Sequence, residues 1–287
     1  VQARRPTHPK QRGADYRGTL DLPADGEVGG TRGWQVREGA ADSNAAAIAI
    51  LTACPNIRTV TLFGVSMGAN TSGLALAAQP TRTGGDEPLY DWWLNVEGAA
   101  NVLETYLEAR SLAASGNAFA NNAVEDIERE VGGPFESDPQ GYVDLAVVSN
   151  VEEIAASGVR GVFHVHGVED GLVPDNQARE LWTGLDVASQ RQLPQEFWTA
   201  LRRDPDGPNP DEDQTNASDY VIGAADPTWE SPFVGHGSEA SADNDAMRFS
   251  LGRLRDLVLE GAEIVGCRDG VYDATVHDHV VTSCVGG

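Results

Sequence analysis

Apolar positions along the chain follow two periods. Residues 59–63, 91–96 and 159–165 are apolar at odd and even positions alike, which predicts strands buried on both faces, as in a parallel sheet. Residues 195–201 predict a further strand. Helical patterns stand between them. Residues 42–54 are filled with alanine, with Ser43 or Asp42 as the expected cap and Pro55-Asn56 as the break. Residues 69–78 form a helix of small residues, followed by 102–112, 117–131 and 177–185. Residues 244–259 are amphipathic, with Met247, Leu251, Leu254, Leu257 and Val258 on one side. Strands alternating with helices predict an α/β fold with a mostly parallel sheet flanked by helices. The helices within 98–150 interrupt that rhythm and are expected to form a small cap. Residues 1–13 have no period, 202–226 read as a long solvated loop, and 262–287 read as a polar tail with short β-like pieces. The expected organisation is one domain over 14–261 and a tail over 262–287, with no internal repeat.

Composition narrows the function. The 287 residues are 40% hydrophobic, enough for a sizeable core and too many for wholesale disorder. With 44 acidic and 20 basic side chains, the net charge is −24, which argues against nucleic acid or an anionic membrane as partner. Lys10 is the only lysine. An acidic, nearly lysine-free surface resembles that of proteins from halophilic archaea. High-GC codon usage also replaces lysine by arginine, but does not by itself predict so large a negative excess. The longest apolar stretches, such as 45–51 and 59–65, fall far short of the roughly 18 residues a membrane span needs. The chain opens at Val1 and carries no signal-peptide pattern, so a mature or truncated product is expected.

The chemistry points to Gly64-Val65-Ser66-Met67-Gly68, which matches the G-x-S-x-G nucleophile elbow. Five residues alone are a weak signal. Here a buried strand ends directly before them and a helix starts directly after. The elbow needs glycine at both flanks so that strand and helix approach closely, and it lifts the serine hydroxyl above the sheet. The helix N-terminus then presents the Met67 N–H to a developing oxyanion. An ordinary strand-to-helix turn with a capping serine is the alternative.

A serine needs a base, and the base needs an orienting acid, in the chain order Ser, Asp or Glu, His. Asp170 follows the strand at 159–165 and is the chosen acid, with Glu169 and Asp175 as close competitors. Asp175 would also cap the helix at 177–185. Of the later histidines, His236 lies in a glycine-flanked segment before the last helix, whereas His277 and His279 lie in the charged tail. His236 is the chosen base.

These residues resemble the α/β-hydrolase superfamily, in the branch near prolyl-oligopeptidase-like and dienelactone-hydrolase-like esterases. Asp15-Tyr16-Arg17-Gly18 resembles the D-x-R-G turn of that family, residues 64–68 its elbow, and His166-Gly167-Val168-Glu169-Asp170-Gly171-Leu172-Val173-Pro174 its H-G-x-x-D-x-x-V-P segment. The last pattern implies Asp170 as triad acid, and His236 falls where the family places its histidine. The resemblance covers about 15–261. Only 14 residues precede Asp15, and none spell the H-G-G-like loop that gives the family its second oxyanion donor. The interval from Asp170 to His236 is 66 residues, and the acidic loop at 202–226 accounts for its length. The resemblance implies an acyl-enzyme on Ser66, no cofactor, and a small-molecule ester as substrate. A peptidase of the prolyl-oligopeptidase type and a non-catalytic binding protein of the same fold are the alternatives.

Other features have plainer readings. A Cys267–Cys284 bridge would close a loop of about 17 residues, contribute about 3 kcal/mol and imply an oxidising compartment, hence secretion. Three free thiols are the alternative, with Cys54 a buried small hydrophobe. His164 and His166 share a strand face and are expected to be satisfied core histidines rather than metal ligands. His277-Asp278-His279 is expected to be solvated tail. Trp92, Trp93 and Trp182 suit core packing or an acyl pocket.

Overall fold

The computed structural model describes residues 33–167, 170, 173–201, 245–264, 267–273 and 281–286. Its sheet contains β1 (Thr61–Val65), β2 (Trp92–Val96), β3 (Gly161–Gly167), β4 (Gln195–Leu201), β5 (Cys267–Asp273) and β6 (Val281–Gly286), in that spatial order. The first five run parallel, and β6 is antiparallel to β5. The apolar runs at both parities explain the layering. Trp92, Leu94 and Val96 face one side with Phe163, Val165 and Trp198, covered by Phe249 and Leu257. Trp93 and Val162 face the other, covered by Leu76, Ile154, Leu181 and Leu185. Full burial of such side chains is worth about 1.5–3 kcal/mol each. β2 and β3 are buried along their whole length, whereas β1 is only partly buried, because it stands at one edge of the described sheet.

Among the described residues the α-helices are α1 (Val36–Ala53), α2 (Met67–Ala77), α3 (Val102–Ala114), α4 (Ala118–Val131), α5 (Pro139–Leu145), α6 (Val151–Ala155), α7 (Asp175–Ala188) and α8 (Asp245–Leu259). Asn101, Asn117 and Asp138 cap α3, α4 and α5 through their side chains. These three helices, with Val36, build a cluster of their own around Tyr106, Ile127, Tyr142 and Leu145. Arg253 of α8 forms a fork with Glu196 of β4, Nε 3.0 Å from Oε2, and so ties the last helix to the sheet.

Four details differ from the expectations. α1 starts at Val36, ahead of Asp42 and Ser43, because Val36, Gly39 and Ala40 are buried by tertiary packing. Ser43 is no cap; its hydroxyl bonds Gly39 O within the helix. α8 buries Phe249 and Leu257 and partly buries Leu254, leaving Leu251 and Val258 exposed, so its apolar face is rotated from the expected one. Residues set apart as a tail contribute β5 and β6 to the main sheet. Cys54 is exposed rather than buried, since it lies just past the end of α1.

Candidate active site

Ser66 occupies the junction between β1 and α2 with φ 54° and ψ −126°. This conformation is sparsely populated for a residue with a Cβ and costs of order 1–3 kcal/mol, so surrounding contacts must enforce it. They do so through the backbone. Ser66 N–H donates to Val96 O at 2.9 Å, and Ser66 O accepts from Ala69 N at 3.0 Å and Ala99 N at 3.2 Å. Gly64 is required by close approach: a Cβ there would lie 2.5 Å from Gly68 O and 2.6 Å from Ala69 Cα. Gly68 differs from the expectation, since among the described residues nothing lies within 4 Å of a Cβ at that position. Met67 opens α2, so its N–H has no intrahelical partner and points toward the Ser66 side of the turn.

Ser66 and Glu97 directly follow β1 and β2, and Asp170 follows β3 by three residues, all at the carboxyl end of the sheet. Adjacent strands lie about 4.8 Å apart, so two strand spacings, roughly 10 Å, separate the Ser66 and Asp170 segments. That interval suits one imidazole hydrogen-bonded at both ends. The described residues contain two histidines, His164 and His166, and neither is available to fill it. His164 is fully buried and bridges Asn95 Nδ2 at 3.0 Å and Gln195 Oε1 at 3.1 Å. Burial, ahead of other effects, lowers its pKa to about 4. It is the satisfied core histidine the sequence suggested.

His166 is placed differently. Its ring is fully buried, with Nε2 2.6 Å from Val173 O and 3.2 Å from Asp170 Oδ2. Asp170 Oδ1 accepts from Val173 N at 2.8 Å, and Asp170 is 5% exposed. A carboxylate buried among donors at the end of a central strand suits an orienting acid. Of its competitors, Asp175 begins α7 and pairs with Arg179 rather than capping the helix, and Glu169 lies outside the described residues. The expected base His236 also lies outside them, as do His277, His279 and the D-x-R-G residues.

Two further carboxylates at this end escape a sequence reading. Glu97 is fully buried at φ 49°, directly after β2. Its signal is a Glu-Gly pair closing an apolar strand, since ligands of parallel sheets gather at carboxyl ends. Glu108 of α3 has its pKa raised to about 7, first by burial and then by the charges of Glu104 and Asp170. α3 therefore lies within electrostatic reach of Asp170. Trp92 and Trp93 are buried in the two core clusters, with Trp93 Nε1 donating to Ser72 Oγ at 2.8 Å, which assigns both to packing. Trp182 meets Phe197 edge-on. Cys267 stands opposite Gly286 and Cys284 opposite Gly270 on the neighbouring strands β5 and β6. Among the described residues no group of three or more His, Cys, Asp or Glu could hold a metal, and no helix is long and apolar enough to cross a membrane.

No protein-family model and no curated protein matches the chain by sequence. Solved structures do match. A puromycin hydrolase aligns over 81% of this chain and 27% of its own at 16% identity, with a TM-score of 0.50. The acylaminoacyl peptidase of Pyrococcus horikoshii aligns over 80% and 30% at 13% identity, with a TM-score of 0.46. An esterase of Pyrococcus furiosus aligns over 58% and 54% at 14% identity, with a TM-score of 0.39. The chain spans 22%, 27% and 23% of the first three solved structures it matches. With its parallel sheet, flanking helices and strained serine turn, the chain has the fold of the α/β-hydrolase superfamily.

Proposed function

We propose that this protein is a serine hydrolase that cleaves carboxylic esters. The observation that carries the reading is the strained backbone of Ser66, held between β1 and the N-terminus of α2. Strain of this kind has no packing benefit, but it exposes a hydroxyl beside helix N–H groups. The fold it shares with a puromycin hydrolase accords with hydrolysis. In this mechanism Ser66 Oγ attacks the acyl carbon while His236 takes its proton. The Met67 N–H stabilises the tetrahedral oxyanion. Collapse breaks the acyl–oxygen bond, and His236 returns the proton to the departing alcohol. Water, deprotonated by His236, then attacks the acyl-enzyme and releases the acid and Ser66. Asp170 orients the imidazole and stabilises its cation.

A fluorophosphonate probe tests this reading. Folded wild-type protein in molar salt should be labelled on Ser66, and Ser66→Ala should not. A folded wild type that takes no label would remove the catalytic reading and leave a binding protein of hydrolase fold. p-Nitrophenyl esters and aminoacyl anilides of matched chain length separate ester from peptide cleavage. Faster turnover of the anilides would favour the peptidase.

A further inference from the structure

β3 carries two histidines on one face, both fully buried, and uses them differently. His164 has both ring nitrogens engaged in the sheet interior. His166 has only Nε2 engaged, while its buried Nδ1 has no hydrogen-bond partner among the described residues. An unmet buried acceptor costs about 1–3 kcal/mol, so an apolar residue would pack here more favourably. What the imidazole supplies is the Nε2 hydrogen. Val173 O can only accept, so Nε2 must carry that hydrogen, and it lies between Val173 O at 2.6 Å and Asp170 Oδ2 at 3.2 Å. Asp170 Oδ1 accepts from Val173 N at 2.8 Å. His166 Nε2–H thus holds the Val173 carbonyl, Val173 N–H holds Asp170 Oδ1, and Asp170 Oδ2 lies 3.2 Å from the same Nε2.

We propose that His166 is a positioning residue for Asp170: its Nε2–H holds Val173, whose own N–H holds the Asp170 carboxylate. This inference rests on the reading of Asp170 as the triad acid. A carboxylate free to rotate would present the base with a range of geometries, and misplacement of about 1 Å can cost 100-fold. Removing the imidazole would also take a polar N–H from within 3.2 Å of Asp170 Oδ2 and leave the carboxylate's negative charge less offset. The cation of the base would then be favoured, and its pKa would rise.

The test is the rate of fluorophosphonate labelling of Ser66 in the full chain, in molar potassium chloride between pH 5 and 9. His166→Phe keeps a planar ring but removes the donor. Its labelling rate should fall about 10- to 100-fold, and the acid limb of the pH–rate profile should move to higher pH. His166→Gln, whose amide nitrogen reaches the Nε2 position, should recover most of the rate and restore the limb. If His166→Phe does not fold, His166→Asn replaces it, because its amide nitrogen reaches only the Nδ1 position. The proposal is overturned if the folded donor-less variant labels at the wild-type rate with an unmoved acid limb. It is equally overturned if folded His166→Gln is as slow as that variant, since packing alone would then explain the effect. A folded wild type that takes no label would overturn the serine-hydrolase reading and this proposal together, an outcome distinct from the other two.

Discussion

Two titratable side chains, one buried and one half-buried, give the fold opposite responses to pH. Burial lowers the His164 pKa from 6.5 to about 4. The unfolded chain therefore binds the extra proton between these values, and stability is lost as pH falls from about 6.5 to 4, by about 3 kcal/mol. Glu108 runs the other way, since its pKa is raised from 4.5 to about 7. Its contribution is fully present below 4.5 and is lost as pH rises through 7. Glu108 is only half-buried and partly screened, so its share is about 1 kcal/mol. Urea unfolding at pH 4, 6 and 8 separates the two. His164→Gln, which keeps donor and acceptor without titrating, should flatten the fall on the acid side. Glu108→Gln should stabilise at pH 8 and be neutral at pH 4. A gain from Glu108→Gln at pH 4 equal to that at pH 8 would show that this carboxyl does not titrate as described.

Within the elbow, the two glycines should behave unequally. A Cβ on Gly64 would meet Ser72 Oγ at 2.4 Å as well as backbone atoms of α2 at 2.5 and 2.6 Å, and backbone cannot step aside. Gly64→Ala should cost about 1–3 kcal/mol and slow labelling of Ser66. Gly68→Ala meets nothing within 4 Å among the described residues and removes a flexible residue from α2, so it should be neutral or stabilising by up to about 1 kcal/mol. Thermal unfolding of both variants checks the difference, and equal losses would show that the spacing of β1 and α2 is not what Gly64 protects. This contrast also marks what the sequence could disclose. The elbow, β2, β3, β4 and the capped helices α3 and α4 are written locally, as runs of apolar residues beside cap residues. The start of α1 is not, because packing of Val36 rather than a side-chain cap sets it. β5 and β6 are not, because strands at the far side of the sheet carry glycine and polar residues instead of two apolar faces. His166, Glu97 and Glu108 gain their meaning only when the topology brings β2, β3 and α3 to one end of the sheet.

Over the whole molecule, the dominant electrostatic fact is the excess of acid, 44 carboxylates against 20 cations. Several ion pairs are short-range and exposed, among them Arg110–Glu136, Arg160–Glu263 and Arg255–Asp256. Such pairs are worth about 0–1 kcal/mol each, and salt weakens them. Repulsion among the remaining carboxylates acts over longer distances. The Debye length is about 10 Å at 0.1 M and about 3 Å at 1 M, so molar salt removes most of the repulsion but little of any contact pair. The two effects differ in sign, and the net charge of −24 decides between them. The melting temperature should therefore rise between 0.1 and 1 M potassium chloride, and fluorophosphonate labelling of Ser66 should fall as salt is withdrawn. Screening changes little once the Debye length is below the spacing of surface charges, so the gain should level off beyond about 1 M. Sucrose, which strengthens burial without screening charge, distinguishes this cause from general exclusion of solute. If sucrose replaces salt fully, or if melting temperature and labelling are the same in dilute and molar potassium chloride, the surface charge does not govern the stability of this protein.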